Sequence, residues 1–319
     1  MTTTDQTTDR EQVPAPASAR PSTPVRVSRL GYVAFETPDV ERLTHYYTNV
    51  LGFALVHNSP GQAFLTTGGD HHSIVINRAE AAGGRSVVGY EIREDLDAAH
   101  RRLQAAGLRA ERRSDIGPGT PDALVLTEPA TGATLHLYED QDPSGVSPTF
   151  DHRPSKLGHV AAYTPSLGDM RSFYEGALGF RWADSISDFF VFLRCNADHH
   201  AANFMQSNEL RGLHHIAYEA RDLNHLQLMI DNLTKHGHTL YWGPGRHAVG
   251  HNIFTYHKDP DGNSIELFTQ LDVMLDEEQG YYEPRPWHER FPMYPTTWEA
   301  DAAAMNMWGP VPHGGPIKR

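Results

Sequence analysis

The chain has 319 residues, of which 39% are hydrophobic and 21% are charged, and its formal net charge is −13. This length favours two ordinary domains over one small one, and the acidic charge argues against a nucleic-acid partner, because the protein would repel phosphate backbones. The single cysteine, Cys195, excludes an internal disulfide and a cysteine-based zinc cluster, so metal chemistry here would use imidazole and carboxylate groups.

The amino-terminal segment, residues 1–27, is rich in Thr, Pro, Ser and charged residues and has no apolar run. We predict a disordered tail here rather than a signal peptide. No apolar run elsewhere in the sequence is long enough to span a bilayer, so membrane association is not expected. Together with the scarcity of cysteine, this favours a cytoplasmic protein.

Four blocks of sequence recur in the same order, 127 to 130 residues further along the chain. The block LGYVAFETPD, which begins at Leu30, matches LGHVAAYTPS, which begins at Leu157. Likewise YYTNVLGF, which ends at Phe53, matches FYEGALGF, which ends at Phe180. A repeat this regular indicates two homologous modules, each of a size typical of a domain.

The sequence pattern of each module predicts two consecutive βαβββ units. The chain would then contain four such units and belong to the α+β fold class. An alternating apolar strand is followed by a Thr-Pro turn, a helix that ends at Leu-Gly-Phe, short β-branched or aromatic runs, a second helix and a closing hairpin. The predicted helices are 40–50, 96–106, 167–177 and 223–236. The predicted strands include 31–36, 63–66, 73–76, 123–126 and 134–138, then 158–163, 189–194, 201–205, 252–257 and 264–269.

The two modules are predicted to occupy residues 28–140 and 155–272. A linker rich in Pro, Ser and Asp, 141–154, joins them, and a C-terminal extension rich in Pro and aromatic residues, 273–319, follows the repeat. We interpret the extension either as a lid over a site or as a subunit-contact arm, since aromatic side chains are common in both pockets and interfaces.

Comparison of the two copies shows which module carries a site. Three pairs of equivalent positions differ in chemistry: Tyr32 and His159, Val87 and His215, and His136 and Glu266. Two imidazoles and one carboxylate are the facial set that binds divalent iron and leaves coordination positions open. A single inward His or Glu is more often an ordinary buried polar group, but three on equivalent strands of one module are expected to converge.

These residues lie in recognisable motifs, and the chain resembles two-module type I extradiol ring-cleavage dioxygenases of the vicinal oxygen chelate superfamily. The resemblance covers about Val27 to Leu271. It is carried by the blocks LGHVAAY, LRCNADHHAANF, LHHIAYEA and GPGRHAVGHNIFTYHKDPDGNSIELF. In the last block His247 precedes Tyr256 by nine residues, and Tyr256 precedes Glu266 by ten, which is close to the family signature.

The resemblance implies that the second module holds the metal and that the first keeps only the fold, each module being an open barrel-like sheet. It implies Fe(II), or Mn(II) in some members, with O2 as co-substrate, a catechol-type substrate, no organic cofactor and a homo-oligomer. The metal ligands it implies are His159, His215 and Glu266. The catalytic residues it implies are His200 as acid or base, and His247 and Tyr256 as partners of the catecholic oxygens. Phe192 and His199 are weaker candidates for substrate contact.

In two pairs of adjacent histidines, the functional residue has to be distinguished from its neighbour. Strand alternation would turn only one of His214 and His215 inward. The resemblance selects His215, which leaves His214 a structural role. In the doublet of His199 and His200 the resemblance again selects the second residue as the catalytic one.

Two alternatives remain open. One is another metalloenzyme of the same superfamily, glyoxalase- or isomerase-like, although Tyr32 and Val87 argue against ligands from the first module. The other is a metal-free small-molecule-binding protein on the same fold, which would have no reason to keep the three ligands together with His200. The resemblance leaves open which catechol is cleaved, on which side of the diol and with which metal. Candidates in the extension for contacting an acidic substituent are Arg285, His288 and Arg290.

Overall fold

The computed structural model describes residues 22–311, in which two large mixed sheets share one hydrophobic core. The strands of the first sheet are β1 (Arg29–Thr37), β2 (Ala54–Ser59), β3 (Gln62–Thr66), β4 (Ile74–Arg78), β5 (Gly84–Glu91), β6 (Glu111–Arg113), β7 (Ala123–Thr127) and β8 (Thr134–Tyr138). The helices beside it are α1 (Val40–His45), which continues as a wider helical turn over Tyr46–Val50, and α2 (Leu96–Ala105). The strand order β2-β3-β4-β1-β5-β8-β7-β6 places two βαβββ units side by side, with β1 and β5 antiparallel at their junction.

The second sheet repeats this plan. Its strands are β9 (Lys156–Thr164), β10 (Arg181–Ile186), β11 (Phe190–Arg194), β12 (Ala202–Gln206), β13 (Gly212–Glu219), β14 (Leu240–Arg246), β15 (Ile253–Lys258) and β16 (Ser264–Thr269). Its helices are α3 (Leu167–Gly176) and α4 (Leu223–Lys235). The order β14-β15-β16-β13-β9-β12-β11-β10 matches that of the first sheet, so the predicted α+β class and the tandem βαβββ modules are confirmed.

The C-terminal extension adds short elements to the second module. They are β17 (Met274–Asp276), β18 (Tyr281–Tyr282), β19 (Thr297–Trp298) and α5 (Ala302–Met305). Strands β17 and β18 pair with each other, whereas β19 runs parallel to β10 and extends the second sheet by one strand. None of the helices in the described part of the chain has the length and apolar character that crossing a bilayer requires.

Aspartate side chains cap the N-termini of α2 and α5. Asp95 Oδ1 accepts a hydrogen bond from the Ala98 N–H at the start of α2, and Asp301 Oδ1 accepts one from the Ala304 N–H at the start of α5. Such caps satisfy donors that the first turn of a helix leaves free. The Leu-Gly-Phe sequence ends each module's first helix because its glycine, Gly52 or Gly179, adopts a positive φ of 81° or 72°.

The helices of each module pack across the boundary between the modules. Tyr46, at the end of α1, has its hydroxyl 2.6 Å from His257 Nε2 of the second module. In the opposite direction Tyr174 of α3 donates a 2.5 Å hydrogen bond to Glu128 Oε1 of the first module. The rings of Tyr90 and Tyr174 meet edge to face with centroids 6.1 Å apart. The two sheets are therefore held together by reciprocal aromatic contacts.

Residues 22–27 belong to the predicted disordered tail, but part of this segment is buried and hydrogen-bonded in the structure. Val25 and Val27 are only 1% and 0% exposed, and their N–H groups donate to the carbonyls of Ala177 and Leu178. Two valines separated by one residue place both side chains on one face of an extended segment, which here packs beside α3. The remainder of the predicted tail, 1–21, and the end of the extension, 312–319, lie outside the described residues.

Candidate metal centre

Three buried side chains from adjacent strands meet inside the second sheet. Strands β16, β13 and β9 are neighbours, and Ala217 of β13 lies opposite Glu266 on one side and opposite His159 on the other. His215 lies two residues before Ala217, so it projects from the same face. His159, His215 and Glu266 are 1%, 3% and 1% exposed. The structure thus brings together the three residues that the repeat comparison singled out.

The donor atoms of this set converge on one point. The Nε2 atoms of His159 and His215 lie 3.0 Å apart, and each lies 3.1 Å from Glu266 Oε2. Burial raises the pKa of Glu266, but the two imidazoles outweigh it and hold that pKa well below its usual range. Burial also lowers the pKa of His159. Two neutral imidazoles and one carboxylate are the donor set that a divalent transition metal prefers.

Two further side chains hold the Glu266 carboxylate. Tyr256 donates a 2.8 Å hydrogen bond to Oε2, and Asn252 Nδ2 donates one of 2.8 Å to Oε1. Trp242 stacks on the Tyr256 ring, with centroids 5.1 Å apart. Asn252 carried no signal of its own in the sequence, because neither the repeat comparison nor the motif spacing singles it out.

His247 is oriented by the C-terminal extension. Its Nδ1 lies 2.5 Å from the carbonyl oxygen of Met305, so Nδ1–H donates to that carbonyl and Nε2 remains the acceptor in the neutral ring. Nε2 lies 3.4 Å from the Tyr256 hydroxyl, and the ring stacks on Phe254 with centroids 3.8 Å apart. Burial lowers the pKa of His247 to about 4. His247 is therefore a neutral hydrogen-bond acceptor at neutral pH.

Of the neighbouring histidines His199 and His200, only His200 lines the cavity. The ring of His200 lies 4.3 Å from that of His159 and 5.3 Å from that of Phe192, and both His200 and Phe192 line the cavity beside the His-His-Glu set. The structure places His199 outside the lining of that cavity, and its predicted substrate contact stays a prediction. Its ring instead stacks on Tyr282, with centroids 5.1 Å apart.

His199 instead supports His200 from behind. Its Nε2 lies 3.1 Å from the buried Asp184 Oδ2, which favours a proton on that nitrogen, and its Nδ1 lies 2.9 Å from His200 Nδ1. His200 then carries its proton on Nδ1 and leaves Nε2 free to accept one. Burial lowers the pKa of His200 well below its usual range, so the ring is neutral at neutral pH.

The position of His214 differs from the prediction. This side chain lines the cavity together with His215 instead of turning away from it. Strand β13 shifts register against β9 between Leu213 and His215, and a bulge of this kind breaks the strict alternation of side chains. The His214 and His215 Nδ1 atoms lie 2.5 Å apart, and the His214 ring packs on Tyr163.

The His-His-Glu set opens into a cavity of about 950 Å³. Its wall is largely aromatic and aliphatic, and one side is formed by extension residues, among them Ala302, Ala304, Met305 and Val311. This placement favours the lid interpretation of the extension. Arg285, His288 and Arg290 do not line the described cavity; Arg285 pairs with Glu283 at 2.7 Å, and His288 binds Asp272.

A second buried group of possible metal donors lies outside the cavity and was missed from the sequence. His251 Nδ1 lies 2.7 Å from Asp272 Oδ2, and His288 Nε2 lies 2.9 Å from Asp272 Oδ1. Each carboxylate oxygen here has its own imidazole partner, whereas in the first set one oxygen faces both imidazoles. We therefore interpret this group as a hydrogen-bonded network that joins the loop after His247 to the extension.

The first module fills the equivalent space with its own side chains. The Tyr32 hydroxyl lies 2.6 Å from His136 Nδ1, and the Tyr32 ring packs on His72 with centroids 4.6 Å apart. Val87, at the position equivalent to His215, offers no donor. The repeat comparison therefore identified correctly the module that contains the His-His-Glu set.

Comparison with known proteins agrees with this organisation. Metapyrocatechase 2 of Cupriavidus necator is 36% identical over 123 residues, which is 38% of this chain and 38% of that relative. Manganese-dependent 2,3-dihydroxybiphenyl 1,2-dioxygenase of Geobacillus genomosp. 3 is 23% identical over 298 residues, which is 82% of this chain and 90% of the relative.

The fold is shared with a solved enzyme over nearly its whole length. The Mn(II)-bound glyoxalase from Novosphingobium aromaticivorans has a TM-score of 0.76 and 25% sequence identity, covering 92% of this chain and 97% of its own. One sequence profile matches each module in turn, over residues 29–147 and 156–267. That profile defines the Glyoxalase/Bleomycin resistance protein/Dioxygenase superfamily, and the chain belongs to it.

Proposed function

We propose that the protein is an extradiol dioxygenase, which uses O2 to cleave the C–C bond next to the diol of a catechol and forms a muconic semialdehyde-type product. The arrangement that supports this is the His-His-Glu set at the polar end of an aromatic-walled cavity, bordered by His200, His247 and Tyr256. The names of two relatives, metapyrocatechase 2 and manganese-dependent 2,3-dihydroxybiphenyl 1,2-dioxygenase, support the proposal.

Fe(II) is the metal we propose for His159, His215 and Glu266, with Mn(II) as the alternative that the name of one relative raises. When bound, the metal would supply a common binding point for the diol and O2 and a path for electrons between them. We propose no organic cofactor, because the His-His-Glu set and the diol supply the donors that this reaction needs. The homo-oligomer expected from the resemblance stays a prediction, which sedimentation of the purified protein would test.

The side chains around the His-His-Glu set would form hydrogen bonds with the diol and accept or donate its protons. His247 Nε2 can accept a hydrogen bond from one hydroxyl, because Nδ1–H is engaged by the Met305 carbonyl. Burial raises the pKa of Tyr256 well above its usual range, so its hydroxyl remains a donor. His200, neutral at neutral pH, can take a proton on Nε2 and return it to a product oxygen.

The stacked rings would orient the substrate. Phe192 lies against His200, and Trp242 lies against Tyr256, so aromatic walls flank the polar end on two sides. A planar diol bound between them would be held in place beside the His-His-Glu set. This geometry suits a flat aromatic ring better than a flexible thiol adduct, which favours ring cleavage over a glyoxalase-type isomerisation.

The test is oxygen uptake by anaerobically purified protein loaded with Fe(II) or, separately, with Mn(II). We expect uptake equal to the catechol consumed and a yellow product, both abolished in Glu266→Ala. A matched control is Glu289→Ala, which removes an exposed carboxylate of the extension. Metal-loaded protein that consumes no O2 with any catechol, but isomerises a glutathione hemithioacetal, would replace this proposal with the glyoxalase-like alternative. Protein that binds no metal would favour the binding-protein alternative.

A further inference from the structure

The cavity becomes apolar away from the His-His-Glu set. A hydrophobic cluster, separate from the main core, lines this part of the wall through Ile186, Phe190, Phe192, Met205 and Val249. The rings of Phe192 and Phe190 are 4.4 Å apart, so the aromatic surface continues outward from His200. A ligand bound at the polar end would therefore extend along an apolar wall.

The cavity carries few charged side chains. Its described lining contains no lysine or arginine, and Glu266 is the single acidic side chain in it. The buried Arg246 is already engaged, because its guanidinium packs on the rings of Trp287 and Trp308, 4.3 and 5.1 Å from their centroids. It also donates hydrogen bonds to the carbonyl of His251 and to Gln270 Oε1.

Two polar side chains of this wall, Gln206 and Ser207, already have hydrogen-bond partners. The amide of Gln206 donates to the Pro165 carbonyl and accepts from the Leu167 N–H, so both ends have partners. Ser207 Oγ accepts from the Leu210 N–H, and the exposed Arg211 donates to the Leu210 carbonyl. A carboxylate on the substrate would meet no lysine or arginine among the described lining residues, although such cations compensate its loss of water best.

The cavity is larger than a single dihydroxylated ring. At about 950 Å³ it lies near the top of the range of about 300–1,000 Å³ that drug-sized ligands occupy. A single dihydroxylated ring would fill only a part of it, leaving the wall around Phe190 and Ile186 in contact with water. An apolar group that displaced this water would add to the binding free energy.

We propose that the substrate is a catechol that carries a bulky, uncharged, apolar substituent, seated along the wall of Ile186, Phe190, Met205, Val249 and Leu210. This inference rests on the proposed ring cleavage and names its substrate class. The diol lies at the His-His-Glu set, and the substituent lies along that apolar wall. Catechols with an acidic side chain are poor substrates.

Two matched comparisons test the proposal on the full, metal-loaded protein. The first compares 3-phenylcatechol with catechol, and the second compares 4-ethylcatechol with 3,4-dihydroxyphenylacetate, which has a carboxylate of similar size in place of a methyl group. We expect kcat/KM to rise at least about tenfold with the phenyl group and to fall at least about 100-fold with the carboxylate. Dissociation constants measured anaerobically by calorimetry should follow the same order.

A cation placed at the rim should reverse part of this preference. Leu210 lines the cavity and is 53% exposed, so Leu210→Arg can be accommodated without repacking the core. We expect the substitution to improve kcat/KM for the acidic compound relative to 4-ethylcatechol about threefold to fivefold. Leu228→Arg, at a 44% exposed position on α4 outside the cavity lining, should leave the ratio unchanged.

The outcomes separate this inference from the proposed function. Cleavage of catechols with equal or better use of the acidic compound would overturn the substrate class while leaving ring cleavage intact. The substrate class is likewise overturned if the phenyl group brings no gain in either kcat/KM or affinity. Failure to cleave any of the four compounds would count against ring cleavage itself.

Discussion

One carboxylate organises the candidate metal centre at the scale of single residues. Glu266 Oε2 faces His159, His215 and the Tyr256 hydroxyl, while Oε1 receives the amide of Asn252. Each of these contacts fixes the carboxylate in one orientation and keeps it ionised. The two groups that are not ligands, Tyr256 and Asn252, should therefore matter for metal affinity as well as for substrate.

Asn252→Ala should weaken metal binding about 10- to 100-fold, as is usual when a hydrogen bond to a ligand is removed. The measurement is competition with a chelator, followed by metal analysis. Asn232→Ala is the control, because Asn232 Nδ2 donates to the Val50 carbonyl at 2.8 Å, away from the site. Equal metal affinity in wild type and a folded Asn252→Ala variant would show that this amide does not hold the ligand.

The sequence could predict which residues form the site because the chain carries an internal reference copy. Position-by-position comparison singled out His159, His215 and Glu266, and the pairing of β9, β13 and β16 places them on one face of the sheet. It could not predict the direction of His214, since the bulge in β13 is a property of strand pairing. Nor could it predict that His199 lies behind His200, because Asp184 and Tyr282, which hold it, are remote in sequence.

At the scale of elements, the C-terminal extension connects to the site through the short helix α5 and a buried network. Helix α5 carries the Met305 carbonyl that receives His247 Nδ1–H. The Asp272 network ties the extension to the loop that follows His247. The extension therefore positions a side chain of the site in addition to walling its cavity.

Asp301→Ala should change turnover without changing metal content. Loss of the α5 cap costs about 1 kcal/mol locally, and a frayed α5 no longer holds the Met305 carbonyl against His247. We expect a lower kcat and a higher KM, with the unfolding midpoint nearly unchanged. Asp95→Ala removes the same kind of cap from α2 in the first module and should leave both kinetic constants as in wild type. Kinetic effects of equal size in both variants would contradict this role.

The Asp272 network predicts an acid-dependent loss of stability. Burial raises the pKa of Asp272, but its bonds to His251 and His288 outweigh burial and lower it to about 2. An unfolded aspartate titrates near ~3.9, so this stabilisation is complete above about pH 5 and is lost as the pH falls toward 2. In urea unfolding between pH 6 and 2.5, wild type should lose about 1–2 kcal/mol more than Asp272→Asn.

The control for that measurement is Asp231→Asn, at an exposed position on α4, which should keep the wild-type pH profile. An unchanged acid slope in Asp272→Asn would mean that other carboxylates carry the effect.

At the scale of the whole molecule, the reciprocal contacts predict that the modules unfold together. Glu128 lies in the first module, is 1% exposed, and accepts from Tyr174 of the second module and from Arg85 of its own. Tyr174→Phe removes one donor from a buried carboxylate and should lower the free energy of unfolding by about 1–3 kcal/mol in a single transition. Urea unfolding followed by near-ultraviolet circular dichroism measures this.

Tyr281→Phe, in the partly exposed β18, should have little effect and serves as the control. Two separate transitions, with only one of them shifted by Tyr174→Phe, would show instead that the modules are independent.

The filled pocket of the first module, where Tyr32 bonds to His136, has an evolutionary consequence. Of the two copies, only the second carries a His-His-Glu set, so the first is free of that constraint on its chemistry. It was not free to be deleted, because Tyr46 and Tyr90 of the first copy complete the core of the second. Point mutations in the second half can therefore alter this set while the fold is kept, whereas loss of the first half would remove part of the core on which the set depends.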